Sequence, residues 1–433
     1  MEHGESVDLA HVPHAALVDR PGRRGPGRCA VNGVALSVSR GVARVTDTAL
    51  APYQSAVIRI GFSATWLLFL LRELPHCQEL YGPDGPWSWN LAHQLVADNN
   101  AFTALLWFRG QFWFETVYAL AAVSSLLLLL GWRTRTMSVL FLVGVLSLQN
   151  RSVFVGDGGD NVLHLMSIYL VFTRCGRVWS LDARRAVRER AARARGERLP
   201  DRAGPALWSV LGVALAGITA TGRSDGEWFV PMLLWAVWLG LGLYWLAGRH
   251  VETAAPRVLL DAVANILHNG ALLVIAAEAC LIYATAGWYK IQGSRWQDGT
   301  AVYYPLHLDY FSPWPALGDL LSASGVMVML VTYGTVIVQV AFPFTLFNRR
   351  VKNALLVAMM TEHAVIAVVL GLPFFSLAMI ATDAVFLPTS FLLRLGGLAA
   401  RAGDRLPWPQ GRPEPAGPRG PEEDGPARVG FPA

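Results

Sequence analysis

Lysine is nearly missing from this chain. Lys290 and Lys352 are the only two, so arginine supplies almost all of the 36 basic side chains among 433 residues. Charge is scarce altogether, at 15% of residues, while 53% are hydrophobic and the mean hydropathy is +0.38. That balance excludes a water-soluble globular domain and points to a multi-pass membrane protein with membrane lipids as its surroundings. Cysteine is also sparse. Cys29, Cys77, Cys175 and Cys280 form no CxxC and no metal-ligand spacing, which excludes a disulfide framework and a zinc site. The net charge of +5 collects beside apolar runs and forms no basic face, so nucleic acid is excluded as a partner. The first fifty residues hold no apolar stretch and are rich in Arg, Gly and Pro, so no signal peptide is expected there.

What is present is a series of apolar runs near membrane-spanning length. They lie at about 54–71, 112–132, 137–148, 162–173, 207–221, 228–246, 259–286, 326–347, 354–370 and 375–393. The fold class expected is therefore all-α: a multi-pass transmembrane helical bundle of about eight core helices, with 206–248 as an inserted helical hairpin at its edge. The transmembrane domain spans 51–396, between disordered tails at 1–50 and 397–433. Arg133, Arg135, the Arg-rich stretch from Arg174 to Arg202, Arg249, Arg257, Arg349 and Arg350 all fall on one side of the membrane. The positive-inside rule makes that side cytoplasmic and predicts a cell-membrane protein with both termini inside. Segments 75–110, 154–160 and 290–319 then lie outside, with Trp87, Trp89, Trp107, Trp296 and Trp314.

Lys290 sits about one turn past the end of the 259–286 run. A lysine can do what an arginine cannot: in apolar surroundings it loses its proton and becomes a base. A lysine at that depth also serves as an interfacial side chain snorkelling to headgroups. Glu362 and His363 fall near the middle of the ninth run, where ionisable groups are costly and either carry chemistry or join helices by hydrogen bonds. Glu278, Gln339 and Asp383 are single polar residues in apolar runs and read as structural. Asp160 opens the fourth run, where it reads as an N-cap or as a carboxylate facing the external loops. Arg59 reads as a snorkelling residue, and Arg151 as a partner for Asp157 or Asp160.

The segment Ala286-Gly287-Trp288-Tyr289-Lys290, followed by Trp296 and Gly299, resembles the active-site lysine segment of the vitamin K-dependent gamma-carboxylases. It is similar also to the wider bacterial family of horizontally transferred transmembrane (HTTM) domains. Phe311-Ser312-Pro313, Gly158-Gly159-Asp160, Trp179-Ser180-Leu181-Asp182, Glu362-His363 and Phe374-Phe375-Ser376 follow the same family order, over roughly 53–395. In those carboxylases the matching lysine deprotonates vitamin K hydroquinone. The oxygenated product then takes a proton from a glutamate side chain, and carbon dioxide adds to the carbanion.

The resemblance implies a carboxylase-like lyase activity with a reduced quinone or other lipid-soluble cofactor, acting on a small exported peptide or protein, or on a lipid. Lys290 would be the base, with Glu362, His363 and Asp160 as further catalytic candidates and Trp288 and Trp296 against the cofactor. Two departures weigh against strict carboxylase activity. Asp160 stands where the carboxylases carry a histidine, and their large extra-membrane C-terminal portion has no counterpart here. The alternative is a non-enzymatic membrane protein that binds a quinone or isoprenoid, or assists maturation of an exported peptide. A transporter ranks below both, because no pair of spans is broken by Gly or Pro in corresponding positions.

Overall fold

A computed structural model describes residues 26–197, 199–222, 229–250 and 255–405. Among them every regular element is a helix and there is no strand, an all-α bundle of the multi-pass class. In order come α1 (Pro26–Asp47), α2 (Pro52–Glu73), α3 (Cys77–Tyr81), α4 (Trp89–Asp98), α5 (Gln111–Leu130), α6 (Thr134–Arg151) and α7 (Gly158–Phe172). They are followed by α8 (Leu181–Ala194), α9 (Ala203–Ala220), α10 (Phe229–His250) and α11 (Ala255–Gln292). Short helices α12 (Ser294–Gln297), α13 (Tyr303–Leu306) and α14 (Pro315–Ser322) lead to α15 (Gly325–Ala341), α16 (Arg349–Val369), α17 (Pro373–Asp383) and α18 (Thr389–Arg405). The chain divides into two compact units, the first ending at Phe386 and the second starting at Leu387.

In the first unit α2, α5, α6, α7, α11, α15, α16 and α17 pack into the bundle. Small residues permit the close pairs: a Cβ on Gly144 of α6 would stand 2.8 Å from that of Ala121 on α5. α9 packs on α10, and α10 on α11. The hairpin is held by its own aromatics. Trp208 and Trp238 stack at 4.0 Å, and each indole N–H donates to the other's backbone carbonyl, at 3.0 and 2.9 Å.

Six described helical segments are long and apolar enough to cross a membrane: 52–81, 111–130, 203–220, 256–292, 325–345 and 349–369. The expected spans at 137–148 and 162–173 are helices too, but α7 has only 15 residues and α6 is diluted by Ser, Thr, Gln, Asn and Arg. Neighbouring helices cover both. The last expected span, 375–393, is corrected. Helix α17 stops at Asp383, a short 3-10 turn covers Ala384–Phe386, and α18 begins only after Pro388, which cannot continue a helix interior. Only taken together do α17 and α18 pass the same length and hydropathy test. Among the described residues the second unit holds α18, with Leu392, Leu395 and Ala399 at helical spacing. The expected N-terminal tail is corrected as well: α1 is helical and packs along α11. Asn269 on α11 donates to the Val45 and Thr48 carbonyls at 2.9 Å and accepts from Leu50 N–H at 2.8 Å. Residues 1–25 and 406–433 of the expected tails lie outside the described residues.

At the arginine-rich end the bundle is tied by a buried cation. Arg59 on α2 is fully buried and does not snorkel. Its guanidinium donates to Leu128 O at 2.5 Å and Leu129 O at 2.7 Å, and to Trp179 O at 2.7 Å. The first two are carbonyls at the end of α5, where the helix dipole favours a cation. Trp179 turns its carbonyl inward by adopting φ 50°, a left-handed value that a bulky residue holds only under constraint. Next to it Ser180 caps α8, and Asp182 accepts from the Arg133 and Thr134 N–H groups at 2.9 and 2.8 Å. The Trp-Ser-Leu-Asp run thus joins α2, α5, α6 and α8.

Asp201 closes the loop after α8 by pairing with Arg133 and Arg185. Burial alone would raise its carboxyl, but hydrogen bonds from Arg133, Arg185 and the Gly204 N–H hold it well below the usual carboxylate range. Arg151 is corrected too. It is buried and donates to Gly82 O at 2.7 Å and Trp87 O at 3.0 Å, not to the nearby aspartates.

Removing the Arg59 guanidinium takes a donor from three carbonyls. Arg59→Ala is expected to cost roughly 2–4 kcal/mol, read as a lower thermal midpoint in detergent, and Arg59→Lys should recover only part of it because an ammonium lacks the fork.

Candidate functional site

At the opposite end of the bundle α11 does not stop where its apolar run ends. It continues through Gln292, which places Lys290 in its last turn rather than in a loop. From there the half-buried Lys290 reaches inward. Its Nζ donates to Gln339 Oε1 on α15 at 2.6 Å, and Gln339 Nε2 donates to Glu362 Oε1 on α16 at 2.8 Å. An ammonium only donates, and a carboxylate only accepts. A glutamine between them therefore has its oxygen toward Lys290 and its amide nitrogen toward Glu362. Trp296, from α12, lies over the amine with its ring centre 5.2 Å from Nζ. Gly287, one turn earlier on α11, lets α15 approach: a Cβ there would meet the Val340 side chain at 2.6 Å.

A second chain lies beside the first. His363, next to Glu362 in sequence, is 2% exposed and has Nε2 3.1 Å from the Tyr283 hydroxyl. That hydroxyl is 3.0 Å from both carboxylate oxygens of Asp383 on α17. Tyr283 and Asp383 are fully buried. Phe342 and Phe375 wall the group, 6.0 Å from the Tyr283 ring and 5.5 Å from the His363 ring. Two polar atoms in this part of the bundle are buried without a partner, His363 Nδ1 and Ser376 Oγ on α17. Asp383 and Ser376 are seven residues apart and share a face of that helix.

Of the residues expected from sequence, Lys290, Glu362 and His363 are brought together, with Trp296 over the lysine. Trp288 is 61% exposed and points away from the bundle. Asp160 is not the N-cap of α7. Asp157 holds that position, and Asp160 closes a capping box by accepting from the Asp157 N–H at 2.7 Å. No described hydrogen bond or ion pair links Asp160 to Lys290, Glu362 or His363. The same helix end does come close by packing: the Gly159 Cα would carry a Cβ only 3.0 Å from the backbone N of Phe375. Gln339 and Asp383 read as structural from sequence, yet each is the direct partner of a site residue.

Tyr283 escapes a reading of the sequence alone. Its signal is its spacing, seven residues before Lys290 on one face of α11. Among the described residues no group of His, Cys, Asp and Glu is arranged to hold a metal ion.

No family model, curated protein or solved structure matches the chain.

The chemistry of this cluster rests on Gln339 as an oriented spacer. Gln339→Leu takes the amide partner from both Lys290 and Glu362 and is expected to cost roughly 2–4 kcal/mol. In a Lys290→Met, Glu362→Leu background the same change should cost far less, and thermal stability of the four proteins measures that coupling.

Proposed function

We propose that this chain is a cell-membrane protein related to the HTTM and vitamin K-dependent carboxylase group. Lys290 acts as a base on a reduced quinone-type or other lipid-soluble cofactor, with a peptide or lipid as substrate. The arginine distribution supports an orientation with the Lys290 end outside and both termini in the cytoplasm.

The observation that carries the reading is the partner of Lys290. A lysine kept as a cation in a membrane bundle pairs with a carboxylate or with backbone carbonyls. Here a neutral amide stands between Lys290 and Glu362. The amine loses its proton without breaking a direct ion pair, and a neutral amine still donates an N–H to Gln339 Oε1. Apolar helix faces disfavour a charged amine, while the Trp296 ring over Nζ favours one.

The residues fit a ring hydroxyl. Lys290 offers a proton acceptor, Trp296 an aromatic face, and His363 Nδ1 an unpartnered buried nitrogen. A bound quinol supplies an acidic hydroxyl and a ring that reacts with oxygen. Lys290 takes and holds the proton at Nζ, Gln339 fixes the direction of the amine, and Glu362 balances the charge that results.

The test compares Lys290→Arg with Lys290→Ala in cells lacking the wild-type protein, with folding checked by thermal stability in detergent. Arginine keeps charge and reach but does not deprotonate, so both variants should be inactive and folded. An active arginine variant contradicts the base role and leaves non-enzymatic binding of a quinone, isoprenoid or exported peptide.

A further inference from the structure

The second polar chain has a chemistry of its own. Tyr283 has one hydroxyl proton and two neighbours that compete for it, the Asp383 carboxyl and His363 Nε2. With Asp383 ionised, the carboxylate accepts from Tyr283, and His363 must carry its proton on Nε2 to donate to the Tyr283 oxygen. Nδ1 is then a bare lone pair. With Asp383 protonated every bond reverses: the acid donates to Tyr283, Tyr283 donates to Nε2, and Nδ1 carries the proton. In both states Nδ1 is the buried atom left without a protein partner. It is the open end of a three-membered chain whose closed end is a fully buried carboxyl.

We propose that Asp383, Tyr283 and His363 form a proton relay that makes His363 Nδ1 a second base in the site, acting on a neutral hydroxyl-bearing ligand in the bundle. The step balances. The ligand O–H bond breaks and its proton joins Nδ1. The Nε2–H proton passes to the Tyr283 oxygen, and the Tyr283 proton passes to Asp383. The ligand leaves as the oxyanion, Asp383 ends as the acid, and the imidazole is neutral before and after. That outcome avoids an imidazolium in apolar surroundings, walled by Phe342 and Phe375. Asp383, two turns from Ser376, holds the charge that the ring never bears.

Ionisable groups on the helices packed against α17 include Cys280 and Lys290 on α11, Glu362 and Lys352 on α16, Arg59 and Arg72 on α2, and Asp160 and His164 on α7. Arg59 is tied to carbonyls, Arg72 lies over Phe374, Lys352 donates to Phe386 O, and Asp160 is in its capping box. Glu362, the residue before His363 on α16, is held by the Gln339 amide.

The relay rests on the proposed function only for the nature of the ligand, and the test of the proton exchange itself needs no ligand. Purified protein labelled with [15N]histidine is followed by NMR across pH, with the His363 resonances found by subtracting a His363→Gln spectrum. The expected result is an exchange of tautomers: as pH rises Nδ1 passes from protonated to bare while Nε2 passes from bare to protonated. Asp383→Leu leaves Tyr283 only Nε2 to donate to, so Nδ1–H should persist at every pH. Tyr283→Phe should abolish the exchange, and Lys290→Ala should leave it in place, which separates failure of the relay from failure of the lysine base. A ring that becomes doubly protonated on acidification overturns the relay. So does a wild-type tautomer that does not change with pH, or a bare Nδ1 in folded Asp383→Leu. Phenol, added at high pH, should shift the Nδ1 resonance where anisole, lacking the donor, does not. Equal effects of the two overturn the base role of Nδ1.

Discussion

An apolar helix bundle has little with which to satisfy a polar group, so every ionisable side chain inside it must find its partner on another helix. That constraint shapes both ends of this protein. Toward the aromatic-rich end, Lys290, Gln339 and Glu362 bind α11 to α15 and α16, and Tyr283, His363 and Asp383 bind α11 to α16 and α17. The two chains meet at the Glu362–His363 peptide bond. Adjacent residues on a helix point about 100° apart, so one turn of α16 serves two different directions. Removing one member leaves a partner buried and unpaired, which costs more than the bond itself is worth.

At the arginine-rich end the same constraint has a purely structural answer. Arg59 directs its donors to backbone carbonyls at the end of α5 and to Trp179. Guanidinium is always charged and its donors form a fixed fork, which suits a permanent clamp. The ammonium of Lys290 has neither property and faces an amide. Arginine is the clamp at one end, and Lys290 stands beside a spacer at the other.

Much of this is legible in the sequence because apolar periodicity and interruptions to it are local. The helices and the ionisable trio Lys290, Glu362 and His363 stand out as charges in hydrophobic runs. What is not legible is partnership. Tyr283 looks like any aromatic in a span, and only contact with Asp383 and His363 gives its hydroxyl a role. Gln339 and Asp383 are visible as polar residues, but nothing local tells a helix-joining amide from one that orients a base. Arg59 reads as snorkelling because its carbonyl partners lie 69 to 120 positions away. Asp160 reads as the cap one turn too late because Asp157 and Asp160 are equally good caps by type, and the backbone alone decides between them. The break before α18 is visible as Pro388 and is masked by the hydrophobicity on either side.

The central claim is that these two polar chains face a bound molecule rather than only one another. The most direct measurement is mass spectrometry of the lipid extract of protein purified in mild detergent, beside Lys290→Ala and His363→Gln prepared in the same way. The account predicts a neutral, lipid-soluble, hydroxyl- or carbonyl-bearing aromatic molecule enriched with the wild type and depleted in both variants. Equal amounts of every such molecule in wild type and variants, with all three proteins folded, would contradict it.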